Sequence, residues 1–232
     1  MFPFFYDFNY LLYMLPAFIL MIVAQWYVKS SYNRWSQIRS RSQMTGAQAA
    51  QRLIQIAGLY DVRLEGVPGE MTDHYDPRNK TLRLSEGTAH SPSVAALAIA
   101  AHEMGHALQD QEGYLPLKFR AALVPAVNIG SYLGWIFIFV GLFLQATNLA
   151  IVGLIFFSGG AVFALATLPV ELDASARARV LLTNAGIIRG EDEQKGVNAV
   201  LNAAALTYVA ALVTAVMQLL YYAMLIFGRR DD

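Results

Sequence analysis

Long apolar stretches alternate with polar ones along this chain. No charged residue occurs in residues 8–28, 121–170 or 196–228. A helix needs about 20 apolar residues to cross a bilayer core, where no water satisfies an open peptide group. The first stretch predicts a span over residues 10–28 and the third a span over 205–227. The middle stretch is long enough for two. It divides at Gln145, Ala146, Thr147 and Asn148, which predicts spans over 129–144 and 149–168 joined as a tight hairpin. The core of a large soluble helical bundle is the other reading of such helices, though a charge-free run of 50 residues is unusual there. No basic residue precedes the first span and no small-residue cleavage site follows it, so it is expected to stay attached as an anchor.

The polar stretches carry shorter elements. Residues 30–41 are polar and basic with Tyr32 and Trp35 interleaved, which predicts a helix continuing from the first span with its rings at headgroup level. Thr45 reads as the N-cap of an amphipathic helix through Leu53, Ile54 and Ile56 that stops at Gly58. After Gly66-Val67-Pro68-Gly69, residues 71–75 and 81–85 flank Asp76-Pro77-Arg78-Asn79-Lys80 and predict a small β-hairpin. Ser91 as N-cap and Pro92 at the first helical position then start a long helix that runs to about Gln111.

The fold class expected is mainly α: a polytopic membrane protein with four transmembrane helices and a polar α+β region with one small β-hairpin. Its segments are an anchor at 1–28, that polar region at 29–120, a transmembrane hairpin at 121–170, a polar segment at 171–200 and a last transmembrane helix and tail at 201–232. Charge changes this picture by giving it an orientation. Of 17 Lys and Arg, eleven lie in 29–120, four in 171–195, and the others are Arg229 and Arg230. Basic loops stay on the cytoplasmic side, so both polar segments are expected there and both termini outside. With 17 Asp and Glu the net charge is zero, and nothing supports a nucleic-acid partner. Cysteine is absent, which excludes disulfides and thiolate metal sites.

The candidate chemistry lies inside the long helix, at His102-Glu103-Met104-Gly105-His106. Residues four apart share a helical face, so both imidazoles can grip one metal ion while Glu103 stands beside it as general base. Two neutral imidazoles and a carboxylate suit Zn²⁺, and a catalytic zinc keeps three protein ligands and an open position. Gly105 is expected to leave room beside the metal. Two surface histidines on an amphipathic helix are the plainer alternative. Glu171 is the candidate third ligand, because it is the first charge after the hairpin and two crossings return the chain to the face of the histidines. A carboxylate that merely marks the membrane boundary remains the competing reading.

His102-Glu103-Met104-Gly105-His106-Ala107, together with Leu168-Pro169-Val170-Glu171-Leu172-Asp173-Ala174-Ser175 and Thr72-Asp73-His74-Tyr75-Asp76-Pro77, resembles the bacterial neutral zinc metallopeptidases of the YugP-like group. The likeness runs from the first span to the last, and it extends more distantly to the HtpX-like gluzincin and CAAX-processing proteases. It implies that 29–120 is a zincin-like metallopeptidase region, with one catalytic Zn²⁺ held by His102, His106 and Glu171 and with Glu103 as the base. It also implies a protease of the bacterial cytoplasmic (inner) membrane with its active site on the cytoplasmic side. Its substrates would be peptides and membrane or membrane-associated proteins, and its work protein quality control. The HtpX-like enzymes carry Glu-x-x-x-Asp, whose Asp braces a ligand histidine, whereas Ser175 stands at that place here. Asp173 points about 200° away from Glu171 on a regular helix, so Asn, Ser or backbone groups are left to orient the imidazoles.

Stabilisation of an oxyanion needs a donor opposite the metal. His74 and Tyr75 are candidates, with His74 first, but they equally well pack the hairpin onto the helix. Arg177 and Arg179 are weaker candidates that could instead meet lipid headgroups. An exposed strand of the hairpin could take an extended substrate as an added strand, which implies broad specificity. The alternative function is a proteolytically inactive zinc-binding scaffold, or a partner in a membrane quality-control complex. Prenyl-protein processing is a narrower alternative for which four spans are few. A transporter would need ionisable residues within the spans, and none is there. Membrane-protein partners or a homo-oligomer are further expected associations.

Overall fold

The structure, a computed structural model, describes residues 8–228. Among the described residues, six helices of more than one turn, one single-turn helix and three short strands follow one another. These are α1 (Phe8–Ser36), α2 (Gly46–Ala57), β1 (Arg63–Val67), β2 (His74–Asp76), β3 (Thr81–Ser85), the single-turn α3 (Glu86–Ala89), α4 (Val94–Gln111), α5 (Leu115–Phe143), α6 (Thr147–Asn184) and α7 (Glu191–Phe227). Arg229 and Arg230, and with them the expected placement of the C-terminus, lie outside the described residues, as does the chain before Phe8.

Helices α1, α5, α6 and α7 are long and apolar enough to cross a membrane, and at most 22% of the residues in their apolar windows are buried. That low burial decides against the soluble bundle, whose core helices would hide these side chains; Leu12, Ile19, Ile22 and Trp26 of α1 instead face outward. All four helices are longer than the apolar stretches that predicted them, because α-helical backbone satisfies its own hydrogen bonds and continues into polar sequence.

The chain divides into two compact units. Of the described residues, one comprises 8–24, 119–168 and 207–228. Within it α5 and α6 meet through small residues: a Cβ on Gly141 would lie 2.4 Å from the Ala150 nitrogen, and one on Gly153 would lie 2.5 Å from the Ile138 nitrogen. Such contacts let helix backbones approach where no hydrophobic effect drives them together. Tyr10, Tyr221 and Tyr222 add edge-on ring contacts.

The other unit comprises residues 25–118 and 169–206. Its core gathers Leu53 of α2, Leu82 and Leu84 of β3, Leu97 and Met104 of α4, Leu182 of α6 and Leu201 of α7. Helix α2 has the predicted boundaries. Thr45 and Gln48 form a capping box, and Gly58 closes the helix in the left-handed conformation at φ 68°. The predicted hairpin is β2–β3, but it belongs to a three-stranded sheet in the order β1-β3-β2, with β1 parallel to the buried central strand β3. Strand β1 has Arg63, Glu65 and Gly66 on a largely exposed edge, so it carries little apolar alternation.

The start of α4 differs from expectation. Ser93, not Ser91, is the N-cap, its hydroxyl accepting from the Ala96 N–H. Residues 91–93 are instead extended along residues 38–46: the Pro92 carbonyl accepts from the Ser40 N–H, the Ser91 carbonyl accepts from the Gly46 N–H, and the Val94 N–H donates to the Ile38 carbonyl. Pro92 thus supplies an acceptor to a neighbouring segment and does not open the helix.

Candidate metal centre

His102 and His106 project from one face of α4, four residues apart, with ring centroids 4.9 Å apart. Helix α6 brings Glu171 against them. Its Oε2 lies 3.3 Å from His102 Nε2 and 3.5 Å from His106 Nε2. Ligand atoms of the three residues lie within 4.8 Å of one another. Zinc bonds of about 2.0–2.2 Å at tetrahedral angles separate neighbouring ligand atoms by about 3.3–3.5 Å. The carboxylate–imidazole separations match that spacing, and two nitrogens with one oxygen are a donor set zinc favours, so the residues fit the ion.

Gly105 explains how α6 comes so near. A Cβ at this position would lie 2.4 Å from the Ala174 carbonyl oxygen. The glycine therefore makes room for the backbone of α6, and not for space beside a metal as the sequence suggested.

Each imidazole is held from behind. Ser175 Oγ lies 3.2 Å from His102 Nδ1, consistent with its place one turn after Glu171 on the same face. Gln109 Oε1 lies 3.0 Å from His106 Nδ1, while its Nε2 donates to the Val170 carbonyl and to Asp173 Oδ2, both at 2.8 Å. Gln109 is fully buried. Sequence reasoning missed it, although its position three residues after His106 places it on the same face. Asp173 also accepts from Arg177, which in turn donates to Glu112 and lies over the Tyr114 ring. Arg179 donates to Asn198 and Asn202 of α7. Neither arginine is turned towards the histidines.

Glu103 is buried beside this group, and Tyr75 of β2 holds it: the Tyr75 N–H donates to Glu103 Oε2 at 3.0 Å. The Tyr75 hydroxyl donates to Asp110, and burial together with that carboxylate pushes the phenol well above its ordinary value. His74 is not brought to the group. Neighbours in a strand point to opposite faces. With Tyr75 turned to α4, the exposed His74 ring lies against the Thr72 carbonyl at 2.8 Å and Arg83 at 3.4 Å. The expected oxyanion donor thus has other partners.

The electrostatics are those of a compact cluster of opposite charges. Burial pushes the Glu103 carboxyl above the usual range, against the pull of His102 and His106. Burial also acts to raise Glu171, but hydrogen bonds from both imidazoles outweigh it and hold the group well below the carboxylate range. Burial would lower His106, yet the Glu171 hydrogen bond and the Glu103 charge raise it.

Residues 10–227 match the model of a protein family described as "Putative neutral zinc metallopeptidase". The chain is 43% identical over 218 residues to "Putative membrane protease YugP" of Bacillus subtilis (strain 168), covering 94% of this chain and 96% of that protein. No solved structure matches.

Proposed function

This chain belongs to the neutral zinc metallopeptidase family, and on that premise we propose that His102, His106 and Glu171 hold one zinc ion and that Glu103 is the general base for peptide-bond hydrolysis. The observation that carries the reading is the convergence of three ligand atoms from α4 and α6 with a fourth, buried carboxylate beside them. Held by these three residues, a zinc ion would supply Lewis acidity to the scissile carbonyl and to a water molecule near neutral pH. Tyr75 occupies Oε2 of Glu103, so Oε1 is the oxygen that takes a proton from the attacking water and delivers it to the leaving amine. Gln109 keeps the His106 proton on Nδ1, leaving Nε2 as the ligand atom, and the Ser175 hydroxyl can accept from His102 Nδ1 in the same way. His74 is given no part in stabilising the oxyanion.

The substrates are membrane or membrane-associated proteins, a reading supported by the four apolar helices. The edge strand β2 supports recognition of extended chains, because it lies on α4 and has β3 on one side only. Fifteen of the seventeen Lys and Arg fall in the two polar segments, which supports a cytoplasmic active site, external termini and the bacterial inner membrane. The division into anchor, metallopeptidase region, hairpin, ligand-bearing segment and last helix then has a functional sense, and quality control of membrane proteins suits broad backbone recognition.

The test is hydrolysis of unfolded casein by the purified protein alongside its metal content. Glu103→Gln is expected to keep zinc and lose about 10²–10⁴-fold in kcat, and Glu171→Ala to lose zinc. Activity indifferent to chelation and to Glu103→Gln would sink the proposal; zinc without turnover in the wild type would favour the inactive scaffold.

A further inference from the structure

The polar end of α1 and the first turns of α7 line a half-open cavity of about 530 Å³, in the same unit as the metal centre but lined by none of its residues. Helix α1 presents Tyr27, Ser30, Ser31 and Arg34 to it, at one-face spacing, and α7 presents Lys195 and Ala199, four residues apart. The wall is tightly built: a Cβ on Gly196 would lie 2.5 Å from the Trp35 ring, so that ring lies directly on the backbone of α7. Trp35 is also the ring over which the Arg34 guanidinium sits, 5.2 Å from its centroid.

The charge of this cavity is not balanced by the protein. Its one carboxylate, Asp192, is taken by Arg41 through two hydrogen bonds of 2.9 and 3.0 Å. Arg34 and Lys195 have no ion-pair partner among the described residues. The cavity is also graded along its length. Helix α1 leaves its charge-free stretch at Val28, and α7 enters its own at Gly196. Tyr27 and Ala199 therefore mark the apolar end, and Arg34, Lys195 and Asp192 the charged end. A ligand matching this order has an anionic, hydrogen-bonding head and a body that becomes apolar in the direction in which both helices lose their charges.

We propose that this cavity binds the phosphate headgroup of an anionic phospholipid, with the phosphate between Arg34 and Lys195 and the glycerol region towards Tyr27 and Ala199. Hydroxyls of Ser30 and Tyr27 are the hydrogen-bond donors for the ester oxygens. Recognition of this kind combines two cations with aromatic rings at the level where a bilayer turns from polar to apolar. The zinc chemistry plays no part in it.

The experiment is native mass spectrometry of the full-length, delipidated protein in detergent, offered phosphatidylglycerol, phosphatidylcholine or inorganic phosphate. Wild type is expected to retain phosphatidylglycerol about tenfold over phosphatidylcholine, as two solvent-accessible ion pairs together would give. The double variant Arg34→Gln/Lys195→Gln is expected to lose that preference. Arg63→Gln/Arg78→Gln, which removes the same charge from strand β1 and the β2–β3 turn, is expected to keep it. Lys195→Gln alone, at an exposed site, covers the case in which the double variant does not fold and is expected to lower the preference severalfold. Equal retention of both lipids, equal loss in the sheet variant, or full retention in Lys195→Gln would overturn the proposal. Displacement of the lipid by millimolar inorganic phosphate would also overturn it, by showing a phosphate site with no lipid selectivity. Zinc content unchanged in every variant keeps the result separate from that of the metal centre.

Discussion

Gln109 has no freedom to turn over. Its Nε2 faces two oxygen acceptors, the Val170 carbonyl and Asp173, so a flipped amide would set oxygen against oxygen. Oε1 must therefore face His106 Nδ1, and because an amide oxygen only accepts, that nitrogen carries the proton. Gln109→Leu, which keeps the volume and removes the acceptor, is expected to weaken zinc affinity by about 10–100-fold in chelator competition. Its kcat at saturating zinc should change less than its affinity, and unaltered affinity would refute the role. How much of this was legible varies by residue. His102, Glu103 and His106 follow from helical spacing alone, and Glu171 from counting crossings. Asp173 reaches His106 through Gln109, which lies on another helix 64 positions earlier, and no local pattern signals that. The sequence set His74 ahead of Tyr75, a choice between neighbours in a strand that needs the pairing register. That register puts Tyr75 opposite Leu82 and turns its N–H to Glu103.

Between elements, the approach of α4 to α6 is set by backbone, since the atom nearest a Gly105 Cβ is the Ala174 carbonyl oxygen and the next are carbons of the same residue. Backbone in mid-helix cannot step aside as a flexible side chain does. Gly105→Ala is therefore expected to lower both zinc content and thermal midpoint, although alanine favours helix over glycine by roughly 1 kcal/mol. Gly160→Ala in α6, with nothing within 4 Å of its Cβ, is the control and should leave zinc content unchanged. Wild-type metal content in Gly105→Ala would mean that the helices can part without harm. The sequence was readable where an element is defined by its own residues, as with the capping box and left-handed Gly58 of α2. It was less readable where an element is defined by another chain segment. The Ser91 and Pro92 signals were genuine start signals, but residues 38–46 had already engaged their carbonyls.

At the scale of the whole molecule, the buried charges make stability depend on pH. In protein stripped of metal, the depressed Glu171 stabilises the fold above its ordinary value of 4.5, and this is lost as pH falls through its lower folded value. His106 is raised, so its contribution is complete below 6.5 and is lost as pH climbs through its folded value; raised Glu103 has the same sign from 4.5 upward. The stripped protein is thus expected to melt at progressively lower temperature as pH rises above 6.5. Restored zinc should reverse that slope, because the ion binds neutral imidazoles. A stripped protein whose melting temperature rises over this interval would contradict the assignment. The unit that contains these groups is made of two stretches of chain, 25–118 and 169–206. Glu171 meets His102 across 69 positions, and Glu193 holds the Arg41 N–H across 152. At about 5–20 residues per second of translation, the histidines are made several seconds before the carboxylate that joins them. On the proposed assignment, a ribosome still short of that codon carries a chain whose metal site lacks one ligand, so the order of synthesis alone would keep the unfinished protease from attacking its own beginning.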